Sequence, residues 1–312
     1  MTHYTSFAMS IVAAATLLAT SCATDADETA SNLTLQYESG NISEFTPTAS
    51  VTIRVNDFAI SMDEYPTAGT RAEETVATYD KIKAITLAFY DVDGTEKYKH
   101  TQLKADNATF TTFGEFTCNL PVGSYTMVVL GYGSEYAITL TSPTAAAYTE
   151  DKVRETFCTT QSVTITSTAA LELAPTLHRI VSKFQLVSTD PRPAGVSQIK
   201  LTFSAGGQSF SPTSGLATDN SGFVNSIAPS AAIGTTINTT GHLFLATDEQ
   251  NIDVTIEVLD ANSTVLFTKQ VKDVPFKRNR LTTLSGAIFT APSATASFKF
   301  ETSWLDPTTV PF

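Results

Sequence analysis

Positive charge is scarce in this chain. Nineteen Lys and Arg face 31 Asp and Glu, a formal net charge of −12 at pH 7. Binding nucleic acid needs a basic face to neutralise phosphates, so that class of partner is excluded. Direct docking on anionic lipid is disfavoured for the same reason. Charged residues of both signs reach only 16%, against 42% hydrophobic. The cores can therefore be substantial, and Thr, Ser, Asn and Gln must carry most of the surface, as in many extracellular β proteins. Histidine is sparse and scattered (His3, His100, His178, His242), and the chain has one tryptophan, Trp304. No HExxH, GxSxG or phosphate-loop pattern occurs. Nothing favours a catalytic site, a metal or a cofactor, and the chain reads as a non-enzyme. Sustained 3.6-residue periodicity is nearly absent, and Thr75 to Lys83 is the one short segment with helical spacing.

Only three cysteines occur. None has CxxC or Cys/His spacing, which removes the usual zinc sites. Cys118 and Cys158 fall in the folded part and leave two readings open: one disulfide in an oxidising compartment, or two buried thiols. Cys22 is different. Phe7 to Leu18 is almost wholly apolar, but about a dozen residues fall short of the roughly 20 that a helix needs to span a bilayer. With small residues at Ala19-Thr20-Ser21 and then Cys22, the stretch reads as a lipoprotein signal over 1–21 with acylation at Cys22, the alternative being a plain secretory signal with an incidental cysteine. Several acyl chains, at about 0.8 kcal/mol per buried methylene, make a lasting membrane anchor. Residues 22–45, with ATDADETAS directly after Cys22, are small and acidic at their start and read as a flexible tether. Asp25, Asp27 and Glu28 behind the lipidated end resemble the short acidic signal that sends Bacteroidota lipoproteins to the outer face of the outer membrane, an acidic linker being the alternative.

The rest alternates. Val51, Ile53 and Val55, then Ile85, Leu87 and Phe89, then Val254, Ile256 and Val258 recur at the period of strands with one face on a core. Asp93-Gly94, Gly206-Gly207 and Asn262-Ser263 mark turns between them. Many short strands predict an all-β protein of two β-sandwich domains, 46–172 and 173–312, the break falling where Pro175 interrupts the pattern. Phe89-Tyr90-Asp91-Val92-Asp93-Gly94-Thr95 and Val258-Leu259-Asp260-Ala261-Asn262-Ser263-Thr264 share one pattern, as a repeated strand–turn–strand plan would produce. As a calcium loop the first copy fails, since its twelfth position is Gln102 and its glycine comes fourth. Lys277, Arg278 and Arg280 form the one basic cluster, read as a solvated turn. His178, beside Arg179 at the start of an apolar strand, reads as structural. Tyr132 and Tyr136 could form a small aromatic lip, the basis of a rival reading as a glycan-binding surface lipoprotein.

The chain resembles the Bacteroidota fimbrial subunits, the fimbrillin and fimbrial-anchor lipoproteins. The residues that carry this are Thr70-Arg71-Ala72, Leu87 to Gly94, Leu120 to Tyr125, Leu177 to Phe184 and Asp273 to Asn279, in that order behind a lipidated start. The resemblance implies two transthyretin-like sandwiches, a place in a fimbrium on the cell surface, and a part in adhesion. It implies partners that are other subunits, joined by strand exchange, with a host protein or glycan as a further partner. The first strand would be Val51 to Ile60, with Val51, Ile53, Val55 and Phe58 filling the groove. Phe298, Phe300 and Trp304 share the face of a C-terminal strand, either a donor or the ordinary last strand of the second domain. Arg71 matches the position after which a protease matures stalk subunits, or is an exposed arginine that is never cut. The short tail after Asp306 weighs against a stalk role and favours an anchor or a tip-like accessory subunit.

Overall fold

The computed structural model describes residues 46–55, 57–59, 73–76, 79–136, 138–149, 153–290 and 299–301. Every regular element among them is a strand, as expected of an all-β chain. The first seven are β1 (Thr48–Arg54), β2 (Asp57–Ala59), β3 (Glu73–Thr75), β4 (Ala84–Asp91), β5 (Glu96–Leu103), β6 (Glu115–Pro121) and β7 (Gly123–Tyr132). Five follow: β8 (Ile138–Ser142), β9 (Ala145–Tyr148), β10 (Thr156–Ile165), β11 (Leu171–Leu173) and β12 (Thr176–Arg179). The next five are β13 (Ser182–Ser188), β14 (Gln198–Phe203), β15 (Ser209–Ser211), β16 (Leu216–Ala217) and β17 (Phe223–Ile227). The last are β18 (Asn238–Leu243), β19 (Glu249–Leu259), β20 (Val265–Lys277), β21 (Leu281–Gly286) and β22 (Lys299–Glu301).

In the first sandwich a three-stranded sheet, β11-β1-β6, covers a seven-stranded sheet, β3-β2-β12-β10-β7-β4-β5. Between them lie Val51, Ile53 and Leu120 from one side and Ile85, Leu87, Phe89 and Met127 from the other, all fully buried. The second sandwich packs β18-β13-β21-β22 on β17-β14-β19-β20. Its core holds Phe184, Leu186, Leu201, Val254, Ile256 and Leu284. Phe203 stacks on Phe223, with ring centroids 4.7 Å apart. Both halves follow one rule, in which alternate residues turn inward because successive Cβ atoms point to opposite faces.

A third core lies on the outer face of the seven-stranded sheet. There Ala84, Ala88, Tyr90, Val128, Leu130 and Tyr132 pack with Ile180, Val181, Phe210 and Phe244. A small sheet, β16-β15-β9-β8, covers them, and its central pair joins the halves: Phe210 lies opposite Ala146, and Ser209 opposite Ala147. Strand β4 is therefore buried on both faces rather than one.

Two local expectations are corrected. The segment Val51–Ile60 is not one strand, because β1 belongs to the three-stranded sheet and β2 to the seven-stranded one. The turn between them is tied by the Val55 N–H to the Gly114 carbonyl at 3.0 Å. No helix covers Thr75–Lys83 among the described residues. Val76, Tyr79 and Ile82 do face the core, but the Lys83 backbone is drawn into sheet contacts, donating to Tyr132 and accepting from Lys104. Strand β12 hydrogen-bonds with β10 and β2, and β13 with β18 and β21, so the chain passes from the seven-stranded sheet to the second sandwich between Arg179 and Ser182.

Candidate functional site

Strand β1 is the element on which assembly would turn. It pairs antiparallel with β6 from Thr48↔Pro121 to Arg54↔Glu115, and parallel with β11 from Val51↔Leu171 to Ile53↔Leu173. Its inward residues Ala49, Val51, Ile53 and Val55 are buried in the first core. On its outer face the Arg54 guanidinium reaches Glu115 of β6 and Glu172 beside it on β11, each at 3.2 Å. One arginine thus spans all three strands, although exposed pairs of this kind each contribute about 1 kcal/mol or less. Withdrawing β1 would open a groove between β6 and β11, with unpaired backbone on both sides.

The other expected site residues divide into three groups. Cys22, Arg71, Phe298 and Trp304 lie outside the described residues. Phe58 and Phe300 are placed by their backbone: Phe58 pairs with Leu177 in the first sandwich, and Phe300 with Leu284 in the second. Among the described residues β22 is thus a short edge strand beside β21. Cys118 and Cys158 are two free, buried thiols. They lie in different cores, Cys118 in the first and Cys158 in the third. The Cys158 thiol donates to the Pro212 carbonyl at 3.3 Å. Burial pushes the Cys118 thiol pKa up to about 11 and that of Cys158 higher still.

Tyr132 and Tyr136 do not form a lip. Tyr136 is 63% exposed, whereas Tyr132 is fully buried and its hydroxyl is 3.1 Å from that of Thr86. The basic cluster is largely spent inside the protein. Lys277 pairs with Glu249, Arg278 with Asp248 at 2.7 Å, and Arg280 is buried. His178 is exposed, and its neighbour Arg179 carries the structural load. Arg179 pairs with Glu155 at 2.6 Å and donates to Asn279 at 2.8 Å, with its guanidinium 4.8 Å from the Phe157 ring centre. The Tyr79 hydroxyl donates to the same Glu155 carboxylate at 2.7 Å. Burial and that carboxylate together push the Tyr79 pKa above the ordinary tyrosine range. No group of His, Cys, Asp and Glu among the described residues could hold a metal ion.

No curated protein matches this chain. Among solved structures, a candidate adhesin from Bacteroides ovatus superposes with a TM-score of 0.50 at 11% identity, covering 84% of this chain and 97% of that one. The fimbrial anchor protein Mfa2 from Porphyromonas gingivalis gives 0.47 at 12% identity, covering 82% and 97%. A candidate polysaccharide-binding protein from Bacteroides thetaiotaomicron gives 0.45 at 12% identity, covering 80% and 94%. The first establishes that this chain has the fold of that adhesin over most of its length. Residues 136–310, more than half of the sequence and starting at the small sheet that joins the two halves, match a family model, and the chain belongs to that family, a family of unknown function, DUF6562.

Proposed function

We propose that this chain is a fimbrial-type surface subunit, held to the outer membrane by lipid on Cys22 and joined to other subunits by strand exchange. Its role on this reading is adhesive and structural, not catalytic. The observation that carries it is the seat of β1, a strand enclosed on both sides whose inward face completes a core. Burying a Val or Ile side chain contributes about 1.5–3 kcal/mol. Val51, Ile53 and Val55 together therefore approach the net stability of a whole domain, about 5–15 kcal/mol. A subunit that lost β1 would have to fill the groove from a neighbour, since an open, unpaired strand edge templates pairing. The fold shared with the Bacteroides ovatus adhesin and the apolar leader ending at Cys22 support the same reading.

On this reading the chain is of the anchor or accessory type, with β1 filling its own groove and β22 beside β21 of the second sandwich. Division into domains 46–172 and 173–312 belongs to this proposal, with β11 and β12 reaching across the sequence boundary as the closing strands of the first sandwich. Deleting Val51–Ile60 should leave a groove that drives aggregation or polymerisation, read by size-exclusion chromatography. A deletion variant that stays monomeric with unchanged stability would mean that β1 has no such role. Intact mass of the protein from native outer membranes separates the forms. An acylated Cys22 with the full chain behind it fits the anchor, and a start at Ala72 without lipid means a stalk or tip subunit cut after Arg71.

A further inference from the structure

The first sandwich has an open side that the strand-exchange reading leaves unused. Among the described residues β5 is the outer strand of the seven-stranded sheet and β6 the outer strand of the three-stranded sheet. The loop 104–114 runs between them, and together they enclose a cleft of about 460 Å³. That is within the roughly 300–1,000 Å³ usual for small-molecule sites.

Its lining is specific in chemistry. Tyr98 of β5 and Phe110 of the loop supply aromatic surface. Phe110 is set against Phe113 with ring centroids 5.6 Å apart, and His100 meets Phe116 edge-on at 6.1 Å. Around the aromatic groups stand the hydroxyls of Thr109, Thr111, Thr112 and Thr117. The last three are exposed and make no side-chain hydrogen bond to described residues. The floor is held by Gln102, which is buried. Its amide donates to the Glu115 carbonyl at 2.6 Å and accepts from the Gly114 N–H at 2.8 Å. Gly114 itself has φ +90°, and a side chain there would press on Val76 and the Val55 carbonyl at 3.1 and 3.2 Å. The Gly114 end of the loop is thus tied to β5 before any ligand arrives, which lowers the ordering cost of binding there.

Charge narrows the ligand. The lining contains no lysine or arginine, and its single carboxylate, Glu115, is already paired with Arg54. The one basic side chain of the lining is the His100 imidazole, set edge-on against Phe116; that is little to compensate a phosphate, sulfate or carboxylate, and burying an unpaired charge is costly. The hydroxyl-rich rim is equally unsuited to a lipid chain. An added strand from a partner is opposed by Lys97 and Lys99 on β5, the kind of residue that keeps an edge unpaired. What fits is a neutral molecule with an apolar face and many hydroxyls. We infer that this cleft binds a neutral glycan, with the C–H face of a sugar ring on Phe110 and Tyr98 and its hydroxyls on the threonines. The inference rests on the surface reading only for access to such a ligand.

The test uses the chain from Ala23 onward in affinity gels containing yeast mannan, laminarin, xylan or galactomannan, with heparin as the anionic comparison. At least one neutral polysaccharide should retard the protein. Phe110→Ala and Thr117→Arg should each weaken this at least tenfold, while Tyr136→Ala, outside the cleft, should not. Thr117 is exposed, so its arginine variant blocks the cleft without entering a core, and an unchanged melting temperature checks this. Retardation by none of the neutral glycans, by heparin alone, or equally with both cleft variants would overturn the inference. Because the soluble chain is neither anchored nor assembled in this assay, a negative result leaves the subunit reading to its own test.

Discussion

Two sets of buried side chains illustrate the residue scale. Glu155 and Arg179 are 8% and 3% exposed at their side chains. Breaking a buried pair by removing one partner costs about 3–5 kcal/mol, because the other charge is left without compensation. Arg179→Met should lower the urea-unfolding free energy by that order. Glu155→Leu combined with it should cost clearly less than the two single changes summed, and strict additivity would show that the residues do not act as a pair. Cys118 and Cys158 give a simpler expectation. With both thiol pKa values raised by burial, neither is ionised at pH 8, and the thiolate is the reactive form. A chain lacking residues 1–22 should react with Ellman's reagent only after denaturation, and then through two thiols. The sequence left thiols and disulfide as open alternatives because spacing does not report which face of which strand a residue occupies. It likewise carried no sign that positions 155 and 179 meet, since no local period links them.

At the scale of elements, the internal repeat seen in the sequence is matched atom for atom. In the β4–β5 turn the Asp91 N–H donates to Thr95 and the Asp91 carboxylate accepts from the N–H groups of Asp93 and Thr95. In the β19–β20 turn the Asp260 N–H donates to Thr264, and its carboxylate accepts from Asn262 and Thr264. Each turn has its fourth residue in the left-handed region, Gly94 at φ 79° and Ser263 at φ 63°. A side chain in that region costs about 1–2 kcal/mol, offset in part by the greater freedom of glycine when unfolded. Ser263→Gly should therefore stabilise the protein by up to about 1 kcal/mol and Gly94→Ser should destabilise it by a similar amount. Opposite signs in thermal unfolding would show that the turns are not equivalent. This element was legible because turn chemistry is local. The short helix expected at Thr75–Lys83 failed because Val76, Tyr79 and Ile82 have helical spacing by accident of how an irregular segment meets the core.

For the whole molecule, the third core decides behaviour. Phe210 is fully buried and stacks on Phe244 at 4.3 Å, within a sheet whose strands come from both halves. The two sandwiches should consequently unfold together, in one transition seen alike by far-UV circular dichroism and hydrogen exchange. Phe210→Ala removes about 3–5 kcal/mol of packing and should split that transition in two. A single unchanged transition in the variant would mean that the halves are coupled elsewhere. The alternation of Ile85, Leu87 and Phe89 reads as a strand with one face on a core. It did not reveal that Ala84, Ala88 and Tyr90 on the other face are buried as well.

The sequence by itself determined the β class, the alternation that fills both sandwich cores, the paired aspartate turns and the acidic surface. Each of these rests on interactions within a few residues or on composition. Tertiary structure alone decided where the chain changes sandwich, the burial of Tyr132, the separation of Cys118 from Cys158, and the meeting of Glu155 with Arg179. It also brought Phe110 and the threonines of loop 104–114 together with Tyr98 across an open edge. These depend on strand order and register between distant segments, which no local period encodes.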